Sequence, residues 1–167
     1  MLRQCVDRMV GGVYVAGKFE NWAVLRQLQH KLALRGWSIT FDWTVFAETP
    51  TEKTRENALW DLAGVRGASA FVAVLEGKEC GTFVELGYAL ACETRCLIID
   101  NSINSKNSVF YRHPLVSYVS YNPTLWVGAQ VLPKDGGSGV FELHADVLAA
   151  IFDDWRERLL KPVGSLG

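Results

Sequence analysis

Apolar and polar positions along this chain switch between two periods, and the switches mark its elements. Gly12-Val13-Tyr14-Val15-Ala16-Gly17 is a short apolar run closed by glycine, the mark of a buried strand. Apolar residues then recur with helical spacing at Trp22, Leu25, Leu28 and Leu32, and Gly36 supplies a stop. Trp37, Ile39 and Phe41 alternate with polar neighbours and predict a second strand ending at Asp42-Trp43-Thr44, with Val45 to Pro50 as a connection. Thr51 to Lys53 offer the start of a second helix, with Ala58, Leu59, Leu62 and Val65 as its apolar face. The run Ala70 to Leu75 is a third strand, and after polar residues 76–80 a helix is predicted over 82–93. Leu97-Ile98-Ile99-Asp100 and Leu115 to Tyr121 are the fourth and fifth strands, separated by a polar loop from Asn101 to Arg112. Leu143, Val147, Leu148, Ile151, Phe152, Trp155 and Leu159 form the clearest amphipathic helix, ended by Lys161-Pro162-Val163-Gly164. Residues 122–139 follow neither period and are expected to form an inserted hairpin or lid.

Strands that alternate with helices predict an α/β fold with a parallel sheet covered on both faces. Right-handed crossovers favour a Rossmann-like or flavodoxin-like three-layer sandwich, with five strands in the order 2-1-3-4-5. Its switch point lies between strands one and three. The turn after Tyr14 then comes beside the turn before Glu85. The 167 residues suit one domain, taken as 1–167.

Composition narrows the function classes. A net charge of −1 and no basic block argue against a nucleic-acid polymer as partner. No apolar run reaches membrane-spanning length, and the polar start of the chain does not resemble a secretory leader, so a cytoplasmic protein is expected. Cys5, Cys80, Cys92 and Cys96 match no common zinc spacing, and no metal is expected. Residues 13–19 lack the glycine spacing of a dinucleotide fingerprint or a P-loop, and nothing points to a flavin, so no cofactor is expected.

The stretch Gly81-Thr82-Phe83-Val84-Glu85-Leu86-Gly87-Tyr88-Ala89 carries the candidate chemistry. It sets a carboxylate early in a helix, beyond the carboxyl end of a strand, where ligands of open α/β sheets sit. The plain alternative is an acid that complements a helix N-terminus. Gly81 and Gly87 suggest close backbone approach or tight helix–sheet packing. This stretch, with Tyr14-Val15-Ala16-Gly17-Lys18-Phe19 and Gly36, resembles the nucleoside 2-deoxyribosyltransferase family, which includes related deoxynucleoside monophosphate N-hydrolases. The likeness covers about Val13 to Val119.

The resemblance implies cleavage of an N-glycosidic bond in a small nucleoside or nucleotide. Glu85 matches the nucleophile that forms a covalent glycosyl intermediate, with transfer to an acceptor base, and Tyr14 matches the residue that orients it. Phe19 matches an aromatic residue beside the base, or is a helix-start staple. Asp61 lies between the two motifs. Gly17, Gly81 and Thr82 flank the expected pocket, and Lys18 could attract a 5′-phosphate. Asp42 and Trp43 end strand two, where Asp42 binds substrate or serves as a turn acid. Two departures stand out: Ser69 replaces an Asp at the start of strand three, and Glu79 replaces another before the nucleophile. Since a serine is no general acid, proton delivery would pass to Glu79, another group or water. Hydrolysis of a deoxynucleoside monophosphate and non-catalytic nucleotide binding are the alternatives. The family also implies a homodimer or higher homo-oligomer, and Trp126 to Leu132 is an apolar stretch suited to such a contact.

Overall fold

The computed structural model describes residues 11–48, 55–77, 79–102, 108–124 and 141–160. Five strands, β1 (Gly12–Gly17), β2 (Ser38–Ile39), β3 (Ala70–Leu75), β4 (Arg95–Asp100) and β5 (Val116–Ser120), form one sheet in the order β2-β1-β3-β4-β5. Every neighbouring pair is parallel, and Tyr14 lies opposite Phe71 in the central register. The expected α/β sandwich and strand order are those observed. The helices are α1 (Trp22–Leu34), the single turn α2 (Val45–Glu48), α3 (Arg55–Gly67), α4 (Cys80–Ala91) and α5 (Ala145–Leu160). Short 3-10 turns cover Phe19–Asn21 and Val109–Arg112.

The period of two along each strand separates two cores. Val13, Val15, Val72, Val74, Leu97 and Ile99 face α1 and α5, where Leu25, Leu28, Leu148, Phe152 and Trp155 cover them. Tyr14, Ala16, Phe71, Ala73, Cys96 and Ile98 face the other way, toward Val65 of α3 and Leu86 and Ala89 of α4. All six residues of β3 are buried, which explains its unbroken apolar run.

Several elements differ from expectation. The second strand shrinks to two residues at the sheet edge, and the chain beyond it turns away at Asp42. Part of the expected connection after it is helical, as α2. In α3, Leu59 and Trp60 are 56% and 47% exposed, while Gly64 and Val65 face the sheet. Gly64 is what lets α3 approach: a Cβ there would lie 2.5 Å from the Phe41 Cβ and 3.1 Å from the Tyr14 ring. A Cβ added at Gly81 or at Gly87 would meet nothing within 4 Å, so neither glycine is required by the tight helix–sheet packing expected of them. Most of the proposed hairpin or lid at 122–139, with the apolar stretch at 126–132, lies outside the described residues, as do the second helix's expected start and the proline end after α5. Among the described residues, no helix is long and apolar enough to cross a membrane.

Candidate active site

Beyond the carboxyl ends of β1 and β3 lies a cavity of about 380 Å³. Two helices cross it, each with a stripe spaced by one turn. From α4 come Gly81, Thr82 and Glu85, while Leu86 and Ala89 on the adjoining face anchor the helix to the sheet. From α3 come Asn57, Ala58 and Asp61. Gly17, Lys18 and Phe19 line it at the end of β1, and Phe41, Trp43 and Phe46 form an aromatic wall after β2. Glu79 closes the remaining side.

Tyr14 lies below this cavity with its ring stacked on Phe71 at 5.9 Å. Its hydroxyl is 2.7 Å from Glu85 Oε1 and 3.0 Å from Asp61 Oδ1. One phenolic proton cannot serve both oxygens at once. It donates to one carboxylate, and the other bonds the phenol fully only when it carries a proton itself. Burial pushes the Glu85 carboxyl up to about 7, opposed by the bond from Tyr14 and assisted by the charge of Asp61. Burial also raises Asp61, against the same phenol's donation. For Tyr14, burial and then the two neighbouring carboxylates hold the proton on the phenol far above its ordinary range. The trio therefore offers, near neutral pH, an anionic oxygen and a transferable proton a few ångströms apart.

The other acid, Glu79, is shaped by local bonds. Burial raises its carboxyl, while the Glu76 backbone N–H at 3.0 Å and the Thr82 hydroxyl at 3.4 Å donate to its oxygens. Glu76 in turn accepts from Asn21 Nδ2 at 2.9 Å and Asn101 Nδ2 at 3.1 Å, which ties the strand ends together beneath the cavity.

Two expected site residues lie elsewhere. Asp42 accepts from the backbone N–H of Thr44 at 3.0 Å and from the Thr44 hydroxyl, so it forms the turn acid foreseen as its alternative. Arg26 clamps the same turn, with Nε 3.0 Å from Thr44 Oγ1 and a terminal nitrogen 2.6 Å from the Thr44 carbonyl. This aims Trp43 at the cavity, its indole N–H donating to the Val15 carbonyl at 2.8 Å, and its ring lies 6.4 Å from Phe19. Ser69 precedes β3, at the amino end of a parallel sheet, and donates to the Gly12 carbonyl at 3.0 Å. Ser69 is not among the residues that line the cavity, and its hydroxyl is spent on that carbonyl.

Sequence reasoning passed over Phe41, Phe46, Asn57, Ala58 and Gly64. The i, i+4 spacing of Asn57 and Asp61 was available as a signal. Phe46 carried none, since α2 is a single turn. Among the described residues, no group of His, Cys, Asp and Glu could hold a metal ion.

No protein-family model matches this chain, and no curated protein matches it either. Among solved structures, the CMP N-glycosidase BcmB of Clostridium botulinum is similar, with a TM-score of 0.51 and 17% identity over 66% of this chain and 88% of that one. At that identity the likeness speaks for the shared fold.

Proposed function

We propose that this chain cleaves the N-glycosidic bond of a nucleoside or nucleotide, with Glu85 as nucleophile. The observation that carries the reading is the Glu85–Tyr14–Asp61 arrangement at the head of a cavity walled by aromatic rings. Its likeness in fold to a CMP N-glycosidase supports the same class of bond.

In the first step a Glu85 carboxylate oxygen bonds to the anomeric carbon as the carbon–nitrogen bond breaks. The bonding pair leaves with the base, which takes up a proton. Positive charge developing on the sugar favours ionised Glu85, so the proton shared through Tyr14 settles on Asp61, beside the departing base. Glu79 is the weaker candidate for that donation, because both its oxygens already accept hydrogen bonds. In the second step an acceptor attacks the anomeric carbon, gives up its proton to the now ionised Asp61, and frees Glu85. An acceptor base gives transfer, and water gives hydrolysis. Phe19, Phe41, Trp43 and Phe46 would hold the base, and Asn57, one turn from Asp61, would read its edge with an amide that both donates and accepts. Lys18, Thr82 and the backbone at Gly81 would then take the sugar end.

The test is incubation with deoxycytidine, deoxyuridine and deoxyadenosine and their 5′-monophosphates, with and without a free acceptor base, followed by chromatography. Free base in every productive reaction supports cleavage. A new nucleoside formed only with the acceptor identifies transfer. Tight nucleoside binding without any product would instead favour the non-catalytic binding module.

A further inference from the structure

A second cavity, of about 40 Å³, lies at the other end of the sheet and has the opposite chemistry. Trp37, Ser69, Arg95, Trp155 and Arg156 line it, with Arg95 opening β4 and Ser69 just ahead of β3. It shares no lining residue with the Glu85 cavity. Trp155 is only 6% exposed, yet its indole N–H has no hydrogen-bond partner, and the buried Nε of Arg156 has none either. Each such buried donor destabilises the fold when nothing answers it. The Arg156 guanidinium is held over the Trp37 ring, 5.8 Å from its centroid, so its fork is oriented in advance.

No carboxylate lines this cavity. The nearby acids of α5 are committed elsewhere: Asp146 to Lys31 at 2.6 Å, Asp153 to Arg35 at 2.9 Å and Asp154 to Arg158 at 2.7 Å. Glu157, the remaining acid of that helix, is exposed. Among the described residues, neither Arg95 nor Arg156 makes an ion pair. Ser69 already spends its proton on the Gly12 carbonyl. A bridging water would accept from the two orphan N–H groups but leave the half-buried Arg156 guanidinium without a counter-charge, while Arg95 is exposed beside it. An oxyanion answers both needs.

We infer that this cavity binds an oxyanion, a carboxylate or phosphate group, with the Trp155 indole N–H and Arg156 Nε–H as fixed donors and Arg95 as counter-charge. The volume admits one such group, so any larger body attached to it stays in solvent. The assignment is independent of the chemistry at Glu85.

The test is a titration of the whole chain, labelled with ¹⁵N-tryptophan, with inorganic phosphate, acetate or chloride at constant ionic strength. Trp155→Phe identifies the Trp155 indole signal. That signal is expected to move saturably with phosphate or with acetate, and the more effective of the two names the group, while chloride leaves it in place. Arg156→Leu should weaken the effect about tenfold or more, and Arg95→Ala by less, the remaining tryptophan signals reporting that each variant is folded. Movement of the Trp43 signal alone would place the anion in the Glu85 cavity and overturn the inference. So would no movement of the Trp155 signal, equal movement with chloride, or an undiminished effect in both arginine variants, each of which leaves a water-filled cavity.

Discussion

The two faces of the sheet divide the work of the molecule. The face under α1 and α5 is packed with Val13, Val15, Leu28, Ile99, Leu148 and Phe152, all fully or almost fully buried and all apolar. The face under α3 and α4 is built from the alternate residues of the same strands, yet it carries Tyr14 and, at its upper edge, two carboxyls with raised pKa values that make no ion pair among the described residues. One strand shows the contrast best: Val13 and Val15 serve the first face, and Tyr14 the second. A site with raised carboxyl pKa values is a cost to folding. The apolar face supplies the stability that lets the other face bear it.

Substitutions should separate these roles. The largest effect is expected at Glu85: Glu85→Ala should lower kcat by about 10⁴-fold or more in base-release assays, with an unchanged far-ultraviolet spectrum. On the other face, Phe152→Ala should cost about 3–5 kcal/mol in urea unfolding while the activity per folded molecule holds. Tyr14→Phe should slow kcat by about 10- to 100-fold with little change in KM, the weight of one hydrogen bond to a charged group. Trp43→Leu should do the reverse, raising KM about tenfold with a smaller effect on kcat.

Protonation sharpens the same contrast. Because the first step needs the one proton that Glu85 and Asp61 share, kcat/KM should fall as pH rises along a limb set near 7, where that proton is lost. In Tyr14→Phe that limb should move upward, since the phenol's bond is the influence that lowers Glu85. For stability the sign is opposite to that of a salt-bridged acid. The Glu85 carboxyl is raised from 4.5 to about 7, so the folded chain holds a proton that the unfolded chain releases between those values. Stability from this group is complete below about 4.5 and is lost as pH rises through about 7. Glu85→Gln, which keeps an acceptor for Tyr14, should therefore be more stable than the parent by about 1–2 kcal/mol above pH 7, after allowance for its partial exposure, and nearly equal to it at pH 4. Thermal unfolding across that range measures it.

How much of this was legible in the residues depends on the element. The central strands were, because a sheet covered on both faces demands unbroken apolar runs, and Ala70 to Leu75 has no other reading. Helix α3 was harder. Its apolar residues do not all face the core, since Leu59 and Trp60 are exposed and a glycine, Gly64, makes the contact with Tyr14. A residue without a side chain leaves no mark in a hydrophobic pattern. The aromatic wall was half visible: Trp43 ended a recognisable strand, whereas Phe46 sat in what read as a connection. The misplacement of Ser69 was avoidable from topology alone. Parallel strands all begin at one end of the sheet, so a residue just ahead of strand three stands away from the carboxyl ends where ligands gather.

The central claim is that Glu85 becomes covalently attached to the sugar. A 2′-fluoro-2′-deoxyarabinosyl nucleoside, whose fluorine slows both steps by destabilising positive charge on the ring, should let the intermediate accumulate, and intact-mass measurement with peptide mapping reads it out. The account predicts a mass increase of one fluorinated sugar, located on the peptide that contains Glu85 and absent in Glu85→Gln. Steady release of base from the natural nucleoside with no adduct from the analogue, or an adduct on a different residue, would contradict it.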